Sequence, residues 1–118
     1  MFQYKKDTTL EYRKKECENT IKKYPQRIPI ICERNPKSRL REVKKIKYLV
    51  PIDMPVTQFS FLIRRGINLS AECALYLLAD GTYSLAGNKT MREVYEAHKD
   101  PQDGLLYIMY SEEERWGY

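Results

Sequence analysis

The chain has 118 residues, 42% of them apolar and 31% charged, which fits one folded domain with one hydrophobic core and excludes a disordered chain. Apolar runs such as residues 74–79 are far shorter than the ~20 residues of a membrane-spanning helix, and no secretory signal is visible. The net charge of +5 is concentrated in residues 34–47, so phosphate, anionic lipid or acidic peptide are possible partners, although a solvated face explains the same charges.

The first third of the chain has the apolar spacing of a helix, at Leu10, Cys17, Ile21 and Tyr24. Thr8 or Thr9 is a plausible N-terminal cap, and Pro25 ends the helix because proline disfavours helical geometry in the residue before it. A break near Asp7 leaves residues 1–6 as a separate arm or short helix.

Two strands are predicted next, at residues 27–33 and 45–51, with a turn signal at residues 35–38 between them. A helix then opens at residues 53–55, with Asp53 as its cap and Pro55 in its first turn. Its predicted buried stripe consists of Val56, Phe59, Leu62, Ile63 and Ile67.

Residues 74–79 are predicted as a buried strand that ends in the turn Asp80-Gly81. The spacing of Thr90 and Glu93 predicts a capping box and a short helix, and residues 105–110 form the last strand. This order predicts an α+β, ubiquitin-like β-grasp fold with a four-stranded mixed sheet and a crossing helix. Residues 1–24 form an N-terminal helical extension and residues 25–118 the core and tail, within one folded domain overall.

The cysteines are three, widely spaced and without a C-x-x-C pair, and His98 is the only histidine. A disulfide framework or metal site is therefore not expected, no cofactor is implied, and a reducing cytoplasmic compartment fits best. Cys32 and Cys73 lie within apolar strand-like runs and are interpreted as small core residues. No enzyme is indicated.

Several short segments carry a family resemblance through their order and spacing. They are Lys22-Lys23-Tyr24-Pro25, Arg27-Ile28-Pro29-Ile30-Ile31-Cys32-Glu33, Lys47-Tyr48-Leu49-Val50-Pro51, Gln58-Phe59, Phe61-Leu62-Ile63-Arg64, Tyr95, His98-Lys99-Asp100, Asp103-Gly104, Leu106-Tyr107 and Tyr110-Ser111. Over residues 2–117 the chain resembles the GABARAP-type family of autophagy modifiers.

The resemblance implies a role for Gly117. In that family a cysteine protease exposes the glycine, here by removing Tyr118, and E1-, E2- and ligase-like conjugation proteins join its carboxylate to phosphatidylethanolamine. The protein would be cytoplasmic, and on the autophagosomal membrane when lipidated. Trp116 stands where the family usually has Phe or Tyr, and Gly66 where it usually has a basic residue, so that the helix is expected to end early there.

The resemblance also implies a peptide site on the second strand, where motif-bearing cargo receptors present an aromatic and, three positions on, an aliphatic side chain. Its aromatic pocket would be lined by Glu16, Thr20, Pro29, Ile31, Lys47, Leu49 and Leu105. Its aliphatic pocket would be lined by Tyr48, Val50, Pro51, Met54, Phe59 and Leu62. Its basic rim would include Arg27, Lys44, Lys45 and Arg64, besides Lys47. Thr20 and Leu105 replace the usual Ile and Phe and predict an altered or weaker aromatic preference.

Two other readings remain open at this point. One is a β-grasp peptide-binding adaptor that is never conjugated, in which Gly117 is incidental. The other is a basic RNA-binding protein; because no RNP-type motif or G-X-X-G loop supports it, no nucleic-acid partner is expected.

Overall fold

Two helices precede the first strand. The computed structural model describes residues 2–114, and in it α1 spans Gln3–Asp7 and α2 spans Leu10–Lys23. The Thr9 hydroxyl accepts a hydrogen bond from the Tyr12 N–H at 3.1 Å, so Thr9 is the cap. The predicted break, cap and end before Pro25 are therefore confirmed.

In the described part of the chain the sheet has five strands, β1 (Arg27–Arg34), β2 (Lys47–Pro51), β3 (Tyr76–Ala79), β4 (Tyr83–Ser84) and β5 (Leu106–Ser111), in the order β2-β1-β5-β3-β4. The central pair β1 and β5 is parallel, and the other pairs are antiparallel. The β-grasp prediction is confirmed, and the last strand lies beside the first. The predicted count of four strands was wrong. The sequence did not reveal β4, because this strand has only two residues, both exposed, and shows no apolar pattern.

Two further helices lie on one face of the sheet, α3 (Val56–Gly66) and α4 (Met91–His98). The predicted capping box of Thr90 and Glu93 is present in α4. None of the helices within residues 2–114 combines the length and the apolar character that crossing a membrane requires.

The start of α3 differs from the prediction. Its N-terminal cap is Pro55, which makes no side-chain cap, and Asp53 is exposed. The Val56 N–H instead donates to the Lys89 carbonyl at 2.9 Å. Because a neighbouring loop satisfies a helix-start donor, Asp53 is not needed there. Gly66 is the last residue of α3, as expected from its departure from the family pattern.

The sheet is buried on both faces. Ile30, Cys32 and Ile108 belong to a cluster that packs with α3 and α4, whereas Ile31 and Tyr107 belong to a second cluster that includes residues of α1 and α2. Since side chains alternate along a strand, these are opposite faces of the same sheet. Because both faces of β1 are covered, its residues 28–32 are all apolar instead of alternating with polar ones.

One cysteine was wrongly assigned to the core. Cys32 is completely buried, as predicted, but Cys73 is exposed. The strand begins only at Tyr76, and Cys73 lies in a turn in which its N–H donates to the Ser70 carbonyl at 3.2 Å.

Candidate functional site

The second strand lies at the edge of the sheet, and among residues 2–114 it pairs only with β1. At its two ends the Cys32 N–H donates to the Ile46 carbonyl at 2.8 Å and the Ile52 N–H donates to the Gln26 carbonyl at 3.1 Å. In an antiparallel pair, bonded and non-bonded residues alternate. The backbone groups of Lys47 and Leu49 therefore face away from β1, toward the open edge.

Side chains of β2 alternate between the two faces of the sheet. Tyr48 is paired with Ile30 and packs on the α3 side, whereas Lys47 is paired with Ile31 on the α2 side. An extended segment that joined this edge would place its own alternate side chains on the same two sides.

The residues predicted for the aliphatic pocket converge between β2 and α3. Tyr48, Met54 and Leu62 are partly buried against the same cluster as Val50 and Phe59. The rings of Tyr48 and Phe59 meet edge to face with centroids 5.5 Å apart. Phe59 is fully buried, so it forms the floor of this region while the partly buried side chains form its walls. Pro51, at the end of β2, is half-buried.

The residues predicted for the aromatic pocket lie on the opposite face. Pro29, Ile31 and Leu105 are buried and can serve only as a floor. Lys47 and Leu49, from β2, are more accessible and form one side.

The other side of this region is the helix α2. Glu16 is half-buried there, and Thr20, also half-buried, lies one helical turn further on. The Glu16 carboxylate accepts from Lys47 Nζ at 2.5 Å. This ion pair joins the two sides.

Sequence reasoning missed the contribution of Tyr4. Its hydroxyl donates to the Glu16 carboxylate, and its ring lies 5.3 Å from Lys47 Nζ. Burial and then the bond to Glu16 raise the pKa of Tyr4 well above its ordinary value, so the phenol stays protonated and remains a donor. No local pattern in α1 signals this contact, because the partners come from two other elements.

Some side chains of the predicted basic rim are exposed, and one is bonded within the protein. Lys44, Lys45 and Arg27 are exposed, and Arg27 Nη1 reaches the Leu49 carbonyl at 3.4 Å. Arg64 is engaged elsewhere: its Nη1 donates to the carbonyls of Ser70 at 3.1 Å and Cys73 at 2.8 Å. Arg64 therefore braces the loop that follows α3.

A buried ion pair fixes the helical extension to the core. Arg13 Nε donates to the Asp103 carboxylate at 2.9 Å, with side-chain exposures of 9% and 0%. The same carboxylate accepts from the Tyr107 hydroxyl at 2.5 Å and from the Leu105 N–H at 2.9 Å. Leu105, in the floor of the aromatic pocket, is thus held by the network that holds α2.

The predicted attachment and cleavage residues, Gly117 and Tyr118, lie outside the described residues. The described chain ends just after β5, the central strand, whose last residue Ser111 is buried. Glu112 is half-buried, and Glu113 and Glu114 are exposed.

The fold and the open edge define the class of this protein: a ubiquitin-like β-grasp protein with two helices ahead of its first strand. Residues 12–117 match the family described as "Autophagy protein Atg8 ubiquitin like". Autophagy-related protein 8D of Oryza sativa subsp. japonica is 44% identical over 114 residues, covering 97% of this chain and 96% of that protein. The crystal structure of Trypanosoma brucei ATG8 superposes with a TM-score of 0.89 at 35% identity and covers 99% of both chains.

The chain belongs to the Atg8 family. It is therefore a ubiquitin-like modifier of autophagy, a class that acts by conjugation to phosphatidylethanolamine.

Proposed function

We propose that this chain is a GABARAP-type member of the family, not an enzyme, that is attached to membrane lipid through Gly117 and displays its β2 edge to motif-bearing receptors. The observation that carries the proposal is the open edge of β2, where Lys47 and Leu49 direct backbone groups outward between two apolar regions. Tyr118 is the residue removed before conjugation.

The attachment step is supported by the chemistry of the tail. The family match extends to residue 117, so the glycine lies within the shared pattern. A residue without a side chain leaves its carboxylate unhindered for activation and transfer. The two acyl chains of the lipid hold a protein far more firmly than one, at ~0.8 kcal/mol for each buried methylene.

Peptide capture is supported by the geometry of the edge. The outward groups of Lys47 and the Leu49 N–H supply hydrogen bonds to an added strand, and the Leu49 carbonyl exchanges its 3.4 Å contact with Arg27 for a bond to that strand. The regions on the two faces receive its alternate side chains. Tyr48, Met54 and Leu62 offer apolar contact to an aliphatic residue, and Leu49 and Thr20 to an aromatic one. The exposed cations Arg27, Lys44 and Lys45 favour acidic or phosphorylated residues beside the motif and affect the association rate more than the affinity.

These partners follow from the proposal: a cysteine protease that exposes the glycine, E1-, E2- and ligase-like conjugation proteins, motif-bearing cargo receptors and a phosphatidylethanolamine membrane. The protein is cytoplasmic before conjugation and autophagosomal after it.

The test is conjugation in source cells. An N-terminally tagged chain is compared with its Gly117→Ala variant and with a chain that ends at Gly117, by membrane fractionation and intact mass. We expect the full chain to lose Tyr118 and gain the mass of phosphatidylethanolamine, the shortened chain to be conjugated without proteolysis, and the variant to remain unmodified.

The alternative is an unconjugated peptide-binding adaptor, which the same open edge would serve. If all three proteins stay unmodified and soluble under starvation while motif peptides still bind, the adaptor function replaces the modifier function.

A further inference from the structure

The carboxylate of Glu112 is hydrogen-bonded to the loop between β1 and β2, in which Ser38 lies 74 residues earlier in the chain. Its Oε1 accepts from the Ser38 hydroxyl at 2.6 Å and its Oε2 accepts from the Arg39 N–H at 3.0 Å. The Ser38 hydroxyl in turn accepts from the Leu40 N–H at 3.0 Å. Both carboxylate oxygens of Glu112 are therefore used, and Ser38 is buried beneath them.

The loop that receives Glu112 is itself braced. Arg34 Nη1 donates to the carbonyls of Ser38 at 2.9 Å and Leu40 at 3.1 Å. The Ser38 N–H donates to the Asn35 carbonyl, and the Asn35 N–H donates to the Tyr110 carbonyl, both at 2.9 Å. The loop is thus tied to the end of β5 on one side and to β1 on the other.

The electrostatics agree with this geometry. Partial burial opposes the charged form of Glu112, but the bonds from Ser38 and Arg39 outweigh it and lower the pKa of the carboxyl below its ordinary value. Glu112 is consequently ionised at physiological pH, when both of its bonds are charge-assisted.

The contact lies at the boundary between the packed core and the tail. Ser111 ends the central strand and is buried, whereas Glu113 and Glu114 are exposed. Glu112 therefore lies where the packed core ends and the tail begins.

We propose that Glu112 is a positioning residue for processing and conjugation of the tail: its contact with Ser38 and Arg39 fixes the point from which Gly117 is presented. This inference rests on the proposed function of Gly117. A processing enzyme that holds both the folded domain and the tail depends on the point where the tail leaves the domain, and the Glu112 contact fixes that point in advance. Its loss raises KM for the whole protein and leaves the chemical step at Gly117 unchanged.

The test measures removal of Tyr118 from the full chain by a cysteine protease of the class that processes this family, followed by intact mass. We expect Glu112→Ala to lower kcat/KM roughly tenfold, through KM and not kcat. Ser38→Ala, which removes one of the two donors to Glu112 and leaves Glu112 in place, lowers it in the same direction but by less, because the Arg39 N–H remains. In the double variant the two losses do not add in full, because both variants act on the same contact.

Glu113→Gln is the matched control, since it removes an equal charge one residue along the tail and is expected to be processed like the parent chain. Motif-peptide affinity and thermal stability verify that each variant is folded. The Arg39 amide is followed by NMR as a direct signature: its resonance shifts in Glu112→Ala and not in Glu113→Gln.

The outcomes separate the two proposals. Equal processing of the parent, Glu112→Ala and Ser38→Ala chains overturns this inference and leaves the proposed function standing. A loss in Glu112→Ala without one in a Ser38→Ala chain whose shifted Arg39 amide resonance shows that the contact is broken also overturns it, because the protease then contacts Glu112 directly. No removal of Tyr118 from the parent chain overturns the proposed function and, with it, this inference.

Discussion

Lys47 Nζ lies 2.5 Å from Glu16 Oε2, so one ion pair joins β2 to α2 across the aromatic region. With side-chain exposures of 51% and 24%, the pair is expected to contribute only ~0.2–1 kcal/mol to folding stability. Its importance is local: it places a carboxylate, also held by the Tyr4 hydroxyl, beside the position proposed for a peptide's aromatic side chain.

We therefore expect Glu16→Gln to discriminate between aromatic residues. Peptides with Trp or Tyr, which carry a hydrogen-bond donor, should lose about fivefold in affinity, because a carboxylate accepts more strongly than an amide. Phe peptides should bind as before. Titration calorimetry checks this, with Glu18→Gln as the exposed control on the same helix, and equal losses for Trp and Phe peptides would contradict it.

The edge itself is tested by Leu49→Pro. Proline removes an N–H that faces the open edge, and proline is tolerated on edge strands. We expect roughly tenfold weaker peptide binding from one lost hydrogen bond with the fold retained. Leu49→Ala, which keeps the N–H but shortens the side chain, is the control. Equal affinities for these two variants would show that backbone bonds at Leu49 are not used.

The departures Thr20 and Leu105 predict a weak aromatic preference. The double variant Thr20→Ile, Leu105→Phe should bind Trp motifs more tightly than the parent chain because it restores apolar area. Leu105 is buried, so the larger side chain is expected to cost ~1–3 kcal/mol of stability as well. Fluorescence titration and chemical denaturation separate the two effects; unchanged Trp affinity in a folded variant refutes the prediction.

The buried pair of Arg13 and Asp103 predicts a large stability effect. Asp103→Asn should lower the free energy of unfolding by ~3–5 kcal/mol, because it leaves the Arg13 guanidinium buried without its counter-charge. Lys89→Ala, which removes the exposed pair of Lys89 and Glu93, should cost less than ~1 kcal/mol. Urea denaturation compares the two, and similar costs would mean that the buried pair is easily replaced by solvent.

The cysteines should differ in thiol reactivity. Cys73 is exposed, whereas burial raises the pKa of Cys17 to about 11 and that of Cys32 further still. Because the thiolate is the reactive form, a maleimide at pH 7.5 should label one site quickly, at Cys73. Mass spectrometry locates the label, and rapid labelling of Cys32 would contradict the complete burial of its side chain.

Local patterns in the sequence were enough to predict most helices and strands of the fold. The capping box of Thr90 and Glu93 depends on neighbours three residues apart, and the apolar run of β1 follows from burial on both faces. Such signals are strong because the residues that interact are close in sequence. The same locality explains the two errors. β4 is too short to show an alternating apolar pattern. Cys73 was assigned to the apolar run that follows it, but the strand in that run begins only at Tyr76.

The sequence by itself determined the β-grasp order of elements, and through family resemblance it predicted a peptide site on β2 and a role for the tail glycine. Only the tertiary structure decided which contacts complete the site. Tyr4 meets Glu16 and Lys47, Arg13 pairs with Asp103 across 90 residues, and Ser38 receives Glu112 across 74. These partners have no fixed spacing along the chain. They meet because β5 runs parallel beside β1 and the N-terminal helices pack against that pair of strands. This arrangement brings early and late parts of the described chain to one sheet.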